Sequence, residues 1–230
     1  MTMYWTDPVD EPAFVVPDDI VDIGFKLDCR SLPVDHAYDL ASALFGALPW
    51  LRDEPGTGIH RIHAGATAHG WQQPGAQADD ILHLSKRTRL FLRIPKTRIS
   101  EAETLSGRTL DVAQAKLGIG PAKVRNLSPL TTLFARYTVV PDGADEAELL
   151  RFIVDNAARM GVTITKILCG LPYTTATPAA PIHTRSVLLA DLDPQDSVTL
   201  QQRGIGPERL LGCGLFVPYK AIGATTRASA

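Results

Sequence analysis

Apolar residues alternate with other residues along Val21–Leu27, the period of a half-buried strand. Ser31–Val34 interrupts the pattern. Asp35 then reads as the N-cap of a helix through Leu48, with Ala37, Leu40, Ala41, Leu44 and Leu48 as its apolar stripe and Pro49 as its end. Residues 52–80 read as loop with a short strand at Gly58–Ala64. Strand patterns return at Ile81–Leu84 and Arg87–Pro95. In the second, Leu90, Leu92 and Ile94 share one face, while Arg87, Arg89, Phe91 and Arg93 share the other. Ile99–Ser106 predicts a short helix stopped by Gly107, with brief strands after it at Thr109–Val112 and Lys116–Ile119.

Asn126–Pro129 reads as a linker, after which the order repeats. A strand at Leu133–Val140 leads to a helix over Asp145–Met160, with acids in its first turn, Arg159 in its last and Gly161 as its stop. Strands at Val162–Leu168 and Thr184–Leu192 precede a short helix opened by Asp193 and Pro194 and ended by Gly204. Each half therefore reads strand–helix–strand–strand–helix–strand. The expected fold is α+β: two tandem ferredoxin-like βαββαβ domains, at 21–126 and 127–222, with an N-terminal extension over 1–20 and a tail over 223–230. Gly118–Pro121 and Gly204–Pro207 share one tetrapeptide, but not at the offset that aligns the strands, so the echo is coincidental.

Composition adds a folded, water-compatible class: 45% hydrophobic and 21% charged residues, with no apolar run of membrane-spanning length. Met1–Asp19 is acidic and broken by three prolines, unlike a signal or transit peptide. Cys29, Cys169 and Cys213 are far apart and odd in number, which argues for a reducing compartment; the cytoplasm is expected, and no membrane partner. The formal net charge of −2 conceals a strong asymmetry. Residues 1–80 hold 4 Lys/Arg against 13 Asp/Glu, residues 81–136 hold 11 against 3, and residues 137–230 hold 8 against 9. Within the basic centre, arginines spaced by two around Phe91 form either a track for RNA or a solvated sheet face.

Near the C-terminus, Gly204, Gly206, Gly212 and Gly214 crowd a loop flanked by Arg203 and containing Arg209. It is neither a Walker A loop nor a dinucleotide fingerprint, because no Gly-Lys-Ser/Thr follows and Arg209 fills the third glycine position. A phosphate cradle and a plain turn before a last strand both fit it. Among the histidines, His36 stands out. Capped by Asp35, it falls at the first helical position with Tyr38 at the third, where the helix dipole attracts phosphate and keeps imidazole neutral for acid–base work. An ordinary surface histidine at a helix start has the same pattern. His60 and His63 fall on opposite faces of any strand and make a poor metal pair; His83 reads as structural, and His69 and His183 as loop residues. Asp79 and Asp80 have no companion ligands, so no metal and no cofactor are expected.

Val21–Leu27, the Leu32–Tyr38 segment with its helix, Ser85–Pro95 and the loop ending Gly212-Cys213-Gly214-Leu215-Phe216-Val217-Pro218 together resemble the CRISPR repeat-processing endoribonucleases. These belong to the repeat-associated RNA-binding superfamily, and the likeness spans about residues 21–220. The resemblance implies metal-independent cleavage of CRISPR precursor RNA within repeats, giving mature crRNA for antiviral defence. In that chemistry a 2′-OH attacks the adjacent phosphate and leaves a 2′,3′-cyclic phosphate. It further implies His36 as general base or acid and Tyr38 as an orienting group. Lys86, Arg87, Arg89, Arg93, Lys123, Arg125, Arg185, Arg203 and Arg209 would hold the RNA, mainly through phosphates. Some relatives place a basic residue on the helix that carries the histidine. Here Asp35–Leu48 has none, which leaves Lys26 or Arg185 as substitutes and keeps open a rival reading: a non-catalytic CRISPR repeat RNA-binding subunit. The implied partners are precursor and mature CRISPR RNA and the other subunits of an interference complex.

Overall fold

The structure is a computed structural model that describes residues 14–63 and 80–219; His69, Asp79, most of the N-terminal extension and the C-terminal tail lie outside the described residues. In the N-terminal half the elements run β1 (Ile20–Asp28), β2 (Ser31–Pro33), α1 (Ala37–Ala47), β3 (Gly58–Ile59), β4 (Ile81–His83), β5 (Arg89–Pro95), α2 (Ile99–Glu103), β6 (Thr109–Val112) and β7 (Ala115–Asn126). Five of the strands form one sheet in the order β3-β5-β1-β7-β6, while β2 and β4 pair separately. The period-two pattern explains its packing. Val21, Ile23 and Phe25 of β1 and Leu90, Leu92 and Ile94 of β5 turn to one face, where Leu40, Ala41 and Leu44 of α1 close the core.

The C-terminal half follows with β8 (Leu133–Val139), α3 (Glu146–Arg159), β9 (Lys166–Thr175), β10 (Ile182–Ala190), α4 (Pro194–Arg203) and β11 (Val217–Pro218), in a sheet ordered β11-β8-β10-β9. A capping box starts α3: the Asp145 carboxylate accepts from the Glu148 N–H at 2.8 Å, and the Glu148 carboxylate accepts from the Asp145 N–H at 3.0 Å. Leu149, Ile153 and Ala157 of α3 bury against Leu133, Ala135, Val187 and Leu189 in a second core. In both sheets the first long strand lies between the strand after the second helix and the strand before it, the ferredoxin-like order. β6 is an added edge strand, hairpin-paired with β7.

Several elements depart from the expected boundaries; β9, for one, runs on to Thr175 rather than ending at Leu168, because it pairs with β10 as far as Ile182↔Thr175. β7 runs on to Asn126, because its mixed-polarity end pairs with β1 as far as Val21↔Asn126. β9 starts at Lys166, since Val162 is spent on the helix exit, its N–H donating to Ala157 O while its side chain is buried. α1 is capped by His36 rather than Asp35.

Candidate nucleic-acid interface

The face of the N-terminal sheet opposite its core is charged. Asp22, Gly24 and Lys26 of β1 stand across from Arg93, Phe91 and Arg89 of β5, and Asp22 and Gly24 also face Arg125 and Lys123 of β7. A β-carbon at Gly24 would collide with the Phe91 ring, so glycine is what lets that ring lie across β1. This face is one wall of a cleft of about 600 Å³; Phe134, Arg136, Tyr137, Leu215, Val217 and Pro218 line the other. Arg87, Arg89 and Arg125 reach the cleft from the first wall. The Arg125 guanidinium lies 4.4 Å from the Phe91 ring centroid, a cation–π contact that leaves Arg125 half exposed. Cations on both walls with aromatic faces between them suit a chain of phosphates bearing flat bases.

Not every predicted cation is available. Arg93 is fully buried: it holds Asp22 through Nε at 2.9 Å and Nη2 at 3.2 Å, while Nη1 donates to Gln201 O at 2.6 Å and Phe216 O at 2.9 Å. Period-two spacing put it on the right face, but the C-terminal half covers that end of the face. Arg209 is likewise turned inward, donating to Arg203 O, to Gln202 O at 2.8 Å and to Gly56 O at 3.3 Å. It thereby caps the last carbonyls of α4, and burial, then nearby Arg93, lower its pKa to about 10. Arg185 pairs with Glu146 at 2.5 Å on the C-terminal sheet. Arg89 is half-buried and donates to Lys86 O and Thr88 O, whereas Lys26, Lys86, Arg87, Lys123 and Arg203 are exposed.

The glycine-rich loop folds on itself rather than opening as a cradle. Gly204, Gly206, Gly212 and Gly214 all have φ between 64° and 81°. The Ile205 N–H donates to Gly214 O and the Gly214 N–H to Tyr137 O; a β-carbon at Gly204 or Gly214 would strike the opposing backbone. The loop thus fastens α4 to β8 and forms part of the cleft wall.

The surroundings of His36 also differ from those expected. It is 2% exposed. Its Nδ1–H donates to Pro33 O at 2.8 Å, because a carbonyl only accepts, and its Nε2 accepts the Ile62 N–H at 3.1 Å. Burial pushes its pKa below the usual histidine value. Next to it, Asp35 Oδ2 accepts the Ala176 N–H at 2.6 Å, tying the start of α1 to the β9–β10 turn. Tyr38 is 42% exposed on α1, outside the residues that line the cleft.

Sequence reasoning undervalued the segment that His36 holds. β3 is only two residues long, so the opposite-face argument does not apply beyond it, and His60, Arg61 and His63 all line the cleft. Arg61 joins the two halves, donating to Leu211 O at 2.8 Å and Thr175 Oγ1 at 2.7 Å while its guanidinium lies 3.9 Å from the Tyr137 centroid. His60 Nε2 is 3.6 Å from Asp22 Oδ1. Burial alone would raise the Asp22 carboxyl, but Arg93 and then His60 hold it well below the usual range. His63 stacks on Tyr137 with centroids 5.8 Å apart and planes inclined by 25°. Burial, then Arg136, His36 and Arg61, push its pKa well below the ordinary value. The nearby Tyr173 hydroxyl is pushed up to about 12, chiefly by burial. Among the described residues no three His, Cys, Asp or Glu side chains gather at metal-binding spacing, and no helix is long and apolar enough to cross a membrane.

Residues 21–221 match the family described as Cas6 Crispr. The chain belongs to the Cas6 family. A curated relative, the CRISPR-associated endonuclease Cas6 of Myxococcus xanthus, is 27% identical over 198 residues, covering 86% of this chain and 81% of the relative. A solved CRISPR-associated protein Cas6 superposes with a TM-score of 0.62 at 13% identity, covering 87% of this chain and all of the other. A Cas6-related protein from Pyrococcus furiosus gives 0.56 at 14% identity, covering 88% and 99%. An RAMP protein binding different RNA substrates gives 0.55 at 16%, covering 87% and 100%. At these identities the superpositions speak to the fold. The family read from the sequence motifs holds, and so does the ferredoxin-like class.

Proposed function

We propose that this Cas6 protein is an endoribonuclease that cuts CRISPR precursor RNA within its repeats, with the RNA seated in the cleft. One observation carries the reading beyond family membership: arginines on both walls, Arg87 and Arg125 facing Arg136, around the Phe91 and Tyr137 rings. Phosphates would engage the guanidinium groups and a splayed base would pack beside the Phe91 ring. Lys86, Lys123 and Arg203 would extend the path outside the cleft. The ribose 2′-oxygen attacks the adjacent phosphorus and the bond to the 5′-oxygen breaks, leaving a 2′,3′-cyclic phosphate and a 5′-hydroxyl. In-line positioning, proton transfer and cationic stabilisation of the phosphate are sufficient for this step, so side chains can perform it without a metal. The mature RNA would remain on the same cations and be handed to the other subunits of an interference complex.

A second reading, a CRISPR RNA-binding subunit without chemistry, is favoured by one observation. Both His36 ring nitrogens are engaged by backbone, and α1 contains no Lys or Arg. Incubating the protein with repeat RNA in EDTA separates the two. The expected outcome is a single cut whose upstream fragment ends in a cyclic phosphate and which a 2′-deoxy substitution at that nucleotide blocks. Intact RNA bound tightly by the protein would leave only the second reading.

A further inference from the structure

Resting on the endoribonuclease reading, we propose that His63 takes the proton from the attacking 2′-hydroxyl, and that His36 is a positioning residue. The argument starts from what each imidazole touches. The His36 ring is buried with one nitrogen donating to Pro33 O and the other accepting from Ile62 N–H, so neither nitrogen meets the cleft. His60 lies edge-on to Phe91, and its neighbour Asp22 is already held by Arg93 and Arg125, which leaves that carboxylate a poor relay for the ring. His63 lines the cleft and has one ring face stacked against Tyr137. The strongest charge influences on it come from cationic or neutral groups: Arg136 of β8, His36 at the start of α1, and Arg61 and His60 of its own segment. Such surroundings keep the ring unprotonated at neutral pH, as a base requires, and place positive charge where a phosphate gains it.

The step balances with water as the remaining proton source. A His63 ring nitrogen takes the 2′-hydroxyl proton as the O2′–P bond forms and the P–O5′ bond breaks. The departing 5′-oxygen takes a proton from water, and the imidazolium returns its proton to the hydroxide so formed. His36 acts one residue away. Its acceptance of the Ile62 N–H fixes the backbone immediately before His63, so the two histidines affect cleavage by different routes.

Single-turnover cleavage of repeat RNA separates these roles, using wild type, His63→Ala and His36→Ala, each also measured for binding to a 2′-deoxy repeat and for thermal melting. His63→Ala is expected to slow cleavage by about 10²–10⁴-fold, with binding and melting close to wild type and partial recovery in added imidazole. His36→Ala is expected to melt earlier and cut more slowly, with no recovery in imidazole. Cleavage by His63→Ala within tenfold of wild type would overturn the assignment. A loss matched by weaker binding or lower melting would overturn it too, as would imidazole rescue confined to His36→Ala. RNA left uncut by the wild type would sink the endoribonuclease reading itself, a result distinct from all of these.

Discussion

The two sheets share one strand order but meet their common junction with opposite chemistry. The N-terminal half brings guanidinium groups to it, Arg61 and Arg93, both buried. The C-terminal half answers largely with backbone carbonyls, those of Gln201, Leu211 and Phe216. A carbonyl accepts a charge-assisted hydrogen bond without adding a second buried ion, so each arginine is satisfied at little extra desolvation cost. Only Arg93 also needs a carboxylate, Asp22, from its own sheet. The lesson is that a basic segment divides its cations between holding the molecule together and holding a ligand. The dividing line is where the second half covers the first.

The sharpest way to break this comparison is to remove the buried member of the arginine row. Arg93→Met should cost about 3–5 kcal/mol, because it leaves the buried Asp22 charge with only the half-exposed Arg125 and nearby His60 and leaves two carbonyls unpaired; urea unfolding measures it. A loss near zero would mean that the carbonyls of the C-terminal half are dispensable.

An intermediate effect comes from acid. His36, His60 and His63 have folded pKa values below the ordinary 6.5, each first because of burial. Their unfolded forms therefore bind more protons than the folded ones as pH drops. Stability from these groups is full above about pH 6.5 and declines as pH falls toward the folded values. Asp22, held well below 3.8, adds a second decline that begins only near that ordinary value and deepens as pH approaches its folded one. Melting temperature should hold steady above pH 7, fall between pH 6.5 and 5, and fall again below pH 4. A flat profile from pH 7 to 5 would contradict the lowered pKa values of the three imidazoles.

The smallest effect on folding belongs to the exposed cations. Arg87→Ala and Lys123→Ala should each alter stability by less than about 0.5 kcal/mol. Each should also lower the slope of log affinity against log salt by roughly one, read from RNA titrations at several ionic strengths. If Arg93→Met produced that salt signature without unfolding, the division between the two kinds of arginine would fall.

Much of the fold was legible because local rules and tertiary demands agree. Val21–Leu27 alternates and is a central strand; Asp145 with Glu148 begins a helix and caps it reciprocally. The site was less legible. Alternation assigns Arg89, Phe91 and Arg93 to one face but carries no record that Phe216, 123 positions later, covers only one end of it. His36 sits at the helix start its context suggests. Its burial depends on Ile62, whose segment has no periodicity to read. The glycine-rich loop was visible as glycines, yet its use as a fastener follows from Tyr137 O and Gly214 O, and backbone acceptors leave no mark in a sequence.

The distance along the chain between Arg93 and its last acceptor also bears on how the protein is made. Synthesis proceeds at roughly 5–20 residues per second, so the 123 positions from Arg93 to Phe216 take on the order of 6–25 s. Once β7 is complete at Asn126, and for the rest of that interval, the N-terminal sheet has all its strands but lacks the carbonyls that finish its charged face. A nascent chain therefore displays its polyanion-attracting surface, the buried arginines included, before its own C-terminal half arrives to cover them. Prompt closure by the last strand, more than the speed of the first sheet, decides whether those arginines meet their carbonyls or a passing RNA.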